Sequence, residues 1–198
     1  MTTAHRPPPA MAAGSDRPHR GIEHLLHPQV LGVIIGGSGA SAFVHVNQDV
    51  LPGSWATVAV LLWAAALAVC VYAVLLRPRR LRDIEPPHPR AGLIYSLSLV
   101  GMLVGFAAGR VVLDAAGRPE LMPAIVVIAV GLHFVPFASA FKAPVFGTLG
   151  RSVAAIGIIG LALGVAGGAV PVAAAAVVTG VVMLLLMALD AVQPGVTS

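Results

Sequence analysis

Charge is scarce in this sequence. Only 10% of its 198 residues are charged and 5% are aromatic, while 58% are hydrophobic. Soluble domains carry about 25% charged residues, so an ordinary water-soluble globule, a disordered chain and a nucleic-acid-binding basic domain are all excluded. Cysteine is nearly absent: Cys70 stands alone, which rules out an intrachain disulfide. Lysine is equally rare, with Lys142 the single instance, and no lysine lies in an apolar run to hold retinal. No GxxxxGK[ST] phosphate loop occurs either. What remains is apolar mass made of small residues, including 22 Gly, with a mean hydropathy of +0.92. That is the composition of a membrane protein.

Six apolar runs follow one another: 30–46, 54–76, 92–113, 121–141, 153–169 and 172–189. A hydrocarbon core of ~30 Å needs about 20 helical residues, so each run spans once. Each must be a helix, because backbone groups find no water there. The fold class is therefore all-α, a polytopic transmembrane helical bundle of six spans arranged as three hairpins. Residues 1–21 read as a disordered tail rich in proline and charge. Residues 22–27 read as one amphipathic turn at the membrane surface, within a transmembrane domain over 22–190, and residues 191–198 as a short second tail. The first apolar run begins only at Val30, after a proline-rich stretch, so no cleaved signal peptide is expected.

The net charge of +4 has an ordinary membrane explanation. Ten basic residues (Arg6, Arg17, Arg20, Arg77, Arg79, Arg80, Arg82, Arg90, Lys142 and Arg151) fall on one side of a six-span chain, and only Arg110 and Arg118 on the other. The positive-inside bias then puts both termini in the cytoplasm, with Trp55 at the outer interface and Tyr72 at the inner one. Arg77, Arg79, Arg80 and Arg82 form a cluster that can attract anionic lipid. His24 and His27 share a helical face and, with His19, could supply metal ligands. No carboxylate or cysteine cluster accompanies them, so no metal and no cofactor is expected.

Small residues recur at four-residue spacing: Gly32 and Gly36; Gly101, Gly105 and Gly109; Gly160, Gly164 and Gly168. Such spacing lets helix backbones approach. It predicts spans one, three and five at the centre of the bundle, with spans two and six toward lipid or another subunit, a homo-oligomer included.

Polar groups inside apolar runs need a partner or a cavity. At ~1.5 Å per residue, Ser38, Ser98 and His133 fall at similar depth, with Ser41 and Thr179 further out. If their faces converge they form a polar layer, a candidate path for a substrate or ion; bonding between helices is the plainer account of the hydroxyls. His133 is the most informative of them. Pro136, three residues on, cannot donate to the Leu132 carbonyl, so a kink is predicted beside the imidazole. At the outer end, Arg110 and Asp114 have same-face spacing. His45 and Asn47 close the first span, and the four could frame a vestibule or simply anchor the interface.

The stretch GLHFVPFASAFKAPVFGTLG resembles uncharacterised bacterial multi-span proteins in which a Gly-Leu-His-Phe run precedes a proline and a basic turn. The likeness covers one helix and its following loop. It implies a bacterial inner (plasma) membrane protein and carries no activity. Residues 36–39, GGSG, also resemble the nucleophile turn of rhomboid intramembrane proteases, which would pair Ser38 with His133. The sixth span lacks the histidine that family carries there. Haem between His45 and His133 fails on depth, since they differ by ~15 Å along the axis. A small transporter or channel built on His133 is the leading expectation. A non-catalytic scaffold or partner subunit is the alternative, and a Ser38–His133 hydrolase a remote third.

Overall fold

The computed structural model describes residues 20–25, 27–78 and 86–193. It is a bundle of helices, with no strand among the described residues. Helix α1 (Pro28–Asn47) runs into a 3-10 turn (Gln48–Val50), and α2 (Trp55–Val71) closes in a π turn (Tyr72–Leu76). They are followed by α3 (Ala91–Ala115), a 3-10 turn (Pro119–Leu121), α4 (Met122–Phe134), the single turn α5 (Phe137–Ala140), α6 (Pro144–Gly167) and α7 (Ala169–Val192). Among the described residues, six segments are long and apolar enough to cross a membrane, with α4 and α5 forming one of them, Pro119–Ala140. Six crossings bring both ends of the helical region to one side, here called the terminal face.

Span ends move outward from the hydrophobic limits. The fifth span starts at Pro144 rather than at 153, because a proline at the first helical position needs no N–H partner. The helix then carries Thr148 and Arg151 as exposed side chains. Between α6 and α7 a single residue reverses the chain: Gly168 sits at φ 73° and ψ −146°, a conformation open to glycine but strained for any other residue. On the terminal face, Gly21 belongs to a short 3-10 turn (Gly21–His24) instead of the tail, packed so closely on the Val74 carbonyl that a Cβ would collide. Residues 1–19 and 194–198 lie outside the described residues.

The sequence-based arrangement of the helices is overturned at its centre. The sixth span, α7, is the hub: it packs against α1, α2, α4 and α6, and 61% of its most apolar window is buried. The third span, α3, is the most peripheral, packing mainly on α4 and α5 with 6% buried. Helices α1 and α2 lean on one side of α7, α6 and α4 on the other, and α3 lies beyond α4.

The reason is which glycines meet a backbone. Gly131 of α4 faces the Ala154 amide and the Gly150 carbonyl, and Gly157 of α6 lies against the Ile128 amide. Gly160 and Gly164 of α6 meet Ala175 and Val172 of α7, while Gly180 of α7 meets the Ala40 carbonyl of α1. In α3, by contrast, Gly101 faces open space, Gly105 makes an ordinary contact with Ala129, and only Gly109 is tight, against Ile125. A small residue permits close approach without requiring it. Along α7, Ala173, Ala176, Met183, Leu184 and Ala188 are buried in the bundle, while Val178, Leu185, Leu189 and Val192 leave one apolar stripe of the sixth span exposed.

Candidate functional site

Pro136 breaks the fourth span. Helix α4 stops at Phe134 and α5 resumes at Phe137, while the Leu132 carbonyl, deprived of its usual donor, takes the Val135 N–H at 3.3 Å. The carbonyl of His133 is served from outside the helix. Ser98 of α3 donates its hydroxyl to it at 2.8 Å, and the same oxygen lies 3.0 Å from His133 Nδ1. A hydroxyl has one proton. With that proton on the carbonyl, Nδ1–H donates to Ser98 Oγ, and one serine ties both the backbone and the side chain of His133. Ser98 is seven residues from Ala91 and His133 seven from Ala140, so both lie ~10 Å in from the terminal face.

Aromatic rings surround this tie. Phe137 meets His133 edge-on with centroids 4.6 Å apart and stacks on Tyr95 of α3 at 5.6 Å. Phe134 stacks on Phe146 of α6 at 6.1 Å, and Phe141 closes the cluster against Phe137 at 5.3 Å. A sequence poor in aromatics thus places most of its phenylalanines at one spot. Their spacing (134, 137, 141 on one side of consecutive turns) is the signal in the sequence that marks this cluster.

The remaining members of the expected polar layer do not join His133. Ser38 donates to the Ile34 carbonyl at 3.0 Å and Thr179 to the Ala175 carbonyl at 2.8 Å, each four residues back in its own helix. Ser41 does the same to Gly37 at 2.8 Å and accepts the Trp63 indole N–H at 3.0 Å. Hydroxyls bonded to their own helix need no partner across the bundle. Ser38 lines a cleft between α1, α2 and α7, whereas His133 faces α3, so no serine–histidine dyad forms between them.

The vestibule does not assemble either. His45 packs edge-on against Trp63 at 4.4 Å, and Asn47, buried, donates to the Phe43 carbonyl at 2.8 Å. Arg110 bonds Asp114 at 2.7 Å on α3, with both side chains about half exposed. The two pairs sit on different helices that lean on different neighbours. The cation that does organise this face is Arg118. It pairs with Glu120 at 2.6 Å and donates to the carbonyls of Gly164 at 3.1 Å and Val165 at 3.3 Å, capping the end of α6. Of the basic cluster, Arg77 is exposed at the end of α2, while Arg79, Arg80 and Arg82 lie outside the described residues. No family model, curated protein or solved structure matches this chain.

Proposed function

We propose that the chain is a non-catalytic, multi-pass structural subunit of a bacterial plasma membrane, with both termini cytoplasmic. One observation carries the structural role: among the described residues, the only buried side-chain nitrogen or oxygen without a partner is Gln48 Oε1, in the turn after α1. A transport path needs polar groups left for the cargo. Here Ser38, Ser41, Thr179, Ser98 and the Nδ1 side of His133 are spent on protein atoms. The ten-to-two basic bias supports the orientation. The Gly-Leu-His-Phe-containing resemblance supports the bacterial membrane.

The second reading, a small transporter or channel through the α3–α4 seam, draws on the break at Pro136 and on Nε2 of His133, which Ser98 leaves uncommitted. Both readings meet in one experiment. The full chain, labelled with ¹⁵N-histidine and held in lipid nanodiscs, is followed by NMR for exchange of the His133 N–H with water. A structural tie shows a persistent Nδ1–H signal, and liposomes holding the protein show no more proton leak than liposomes holding His133→Ala. Rapid water exchange, with a leak that His133→Ala abolishes, would install the transport reading instead.

A further inference from the structure

The cavity of interest is away from His133. Between α1, α2 and α7 lies a cleft of about 200 Å³. Its floor is Cys70, Val74 and Leu184, all buried, and its mouth is Ile34, Ser38 and Val71, all exposed. Two features keep it open. Both α1 and α2 rest on α7 more than on each other, and Gly37 contributes no side chain, its nearest neighbour being Leu184 Cδ2, 3.9 Å from where a Cβ would stand. The π turn Tyr72–Leu76 then swings Val74 and Leu75 into the lower wall, where the Arg77 amide bonds the Tyr72 carbonyl at 2.9 Å.

The chemistry of the lining chooses the occupant. Apart from the two serines the walls are apolar or thiol, and both serine hydroxyls are already donated to their own helix, so a polar ligand finds no waiting donor. The mouth opens sideways from two membrane-spanning helices, into the leaflet on the terminal face. The cleft runs from the level of Ser41 and Leu67 to Leu75, and the exposed guanidinium of Arg77 stands two residues beyond its lower end. We infer that this cleft holds one acyl chain of an anionic glycerophospholipid whose phosphate pairs with Arg77. Hydrocarbon fills the wedge that α1 and α2 leave, and the positive charge at its end matches the headgroup rather than the chain.

The test uses the full chain in nanodiscs doped with phosphatidylglycerol that carries a diazirine halfway along one acyl chain, or with the matching phosphatidylcholine. After photolysis, adducts are expected to concentrate on residues 33–41 and 67–75. Ile34→Trp, which plugs the mouth from an exposed position, should reduce them at least tenfold, while Leu97→Trp on the exposed side of α3 should not. Ser38→Leu, also at an exposed position, gives a second plug whose folding does not depend on the first. Arg77→Gln should lower the preference for the anionic probe about fivefold. Adducts spread as densely along α3 as along the cleft, or left unchanged by both plugs, would overturn the chain site. An unchanged anionic preference in Arg77→Gln would overturn the headgroup assignment.

Discussion

Glycine-to-alanine substitution should separate the seams that hold this bundle from faces that only look like seams. A methyl group on Gly157 would lie 2.8 Å from the Ile128 amide nitrogen and 2.9 Å from Val127 Cγ1; one on Gly131 would lie 2.8 Å from both Ala154 Cα and the Gly150 carbonyl oxygen. Backbone atoms cannot rotate aside as a flexible side chain can, so α4 and α6 must move apart. Overpacking of this kind costs about 1–3 kcal/mol. Replacing glycine in a helix returns about 0.5–1 kcal/mol of backbone entropy, leaving a net loss near 1–2 kcal/mol for Gly131→Ala or Gly157→Ala. Gly101→Ala meets nothing within 4 Å, so it keeps the entropic gain alone. The entropic gain is common to all three variants. The two classes should therefore differ by the overpacking cost alone, about 1–3 kcal/mol, or roughly 5- to 160-fold in the unfolding constant. Reversible unfolding in mixed micelles, read by tryptophan fluorescence, measures it. If Gly131→Ala and Gly157→Ala matched the parent while Gly101→Ala lost stability, α3 would be central after all and the α4–α6 seam would be wrong.

Four further outcomes follow from contacts already described. Removing both partners of the α3–α4 tie should cost less than the sum of Ser98→Ala and His133→Leu, with a coupling of about 0.5–2 kcal/mol in a double-mutant cycle; zero coupling would mean that the two side chains do not meet. Arg118→Ala strips the cap from α6 and should lower the thermal midpoint by roughly 2–4 °C, and Arg118→Lys should restore little, because an ammonium cannot serve a carboxylate and two carbonyls as a planar fork does. Arg110→Ala should leave the midpoint where it was, since an exposed pair of this kind contributes little. For orientation, single cysteines in a Cys70→Ser background should react with an impermeant thiol reagent on intact cells near Gly53, Gly117 and Gly168, and be protected near Thr148; the reverse pattern would invert the topology.

The spans were legible because a bilayer fixes both their length and their conformation, so apolar runs of adequate length left little choice. Depth was legible too: counting residues brought Ser98 and His133 to one level, and the two side chains meet. Faces were not. Runs that are apolar all round give no 3.6-residue signal to say which side is inward, and Gly101 and Gly157 look alike in sequence although one faces open space and the other a backbone amide. Polar residues misled for a related reason. Ser38 and Thr179 bond their own helices and so carry no information about neighbours, whereas Arg118, which in sequence counts only toward the charge bias, reaches carbonyls 46 and 47 residues away.

The position of α7 has a consequence for how the chain is made. Synthesis and insertion run from the N-terminus, at about 5–20 residues per second. The hairpin of α1 and α2 is complete at Leu76, yet the helix against which both rest begins only at Ala169. For roughly 5–20 s the nascent protein therefore holds two helices in lipid without the hub they are shaped to fit. Helices α4 and α6 pair through their glycines in the meantime. The bundle is thus closed rather than extended by its final crossing, so a ribosome that stalls before residue 169 leaves two unjoined halves in the bilayer, which is the form a membrane protease would meet.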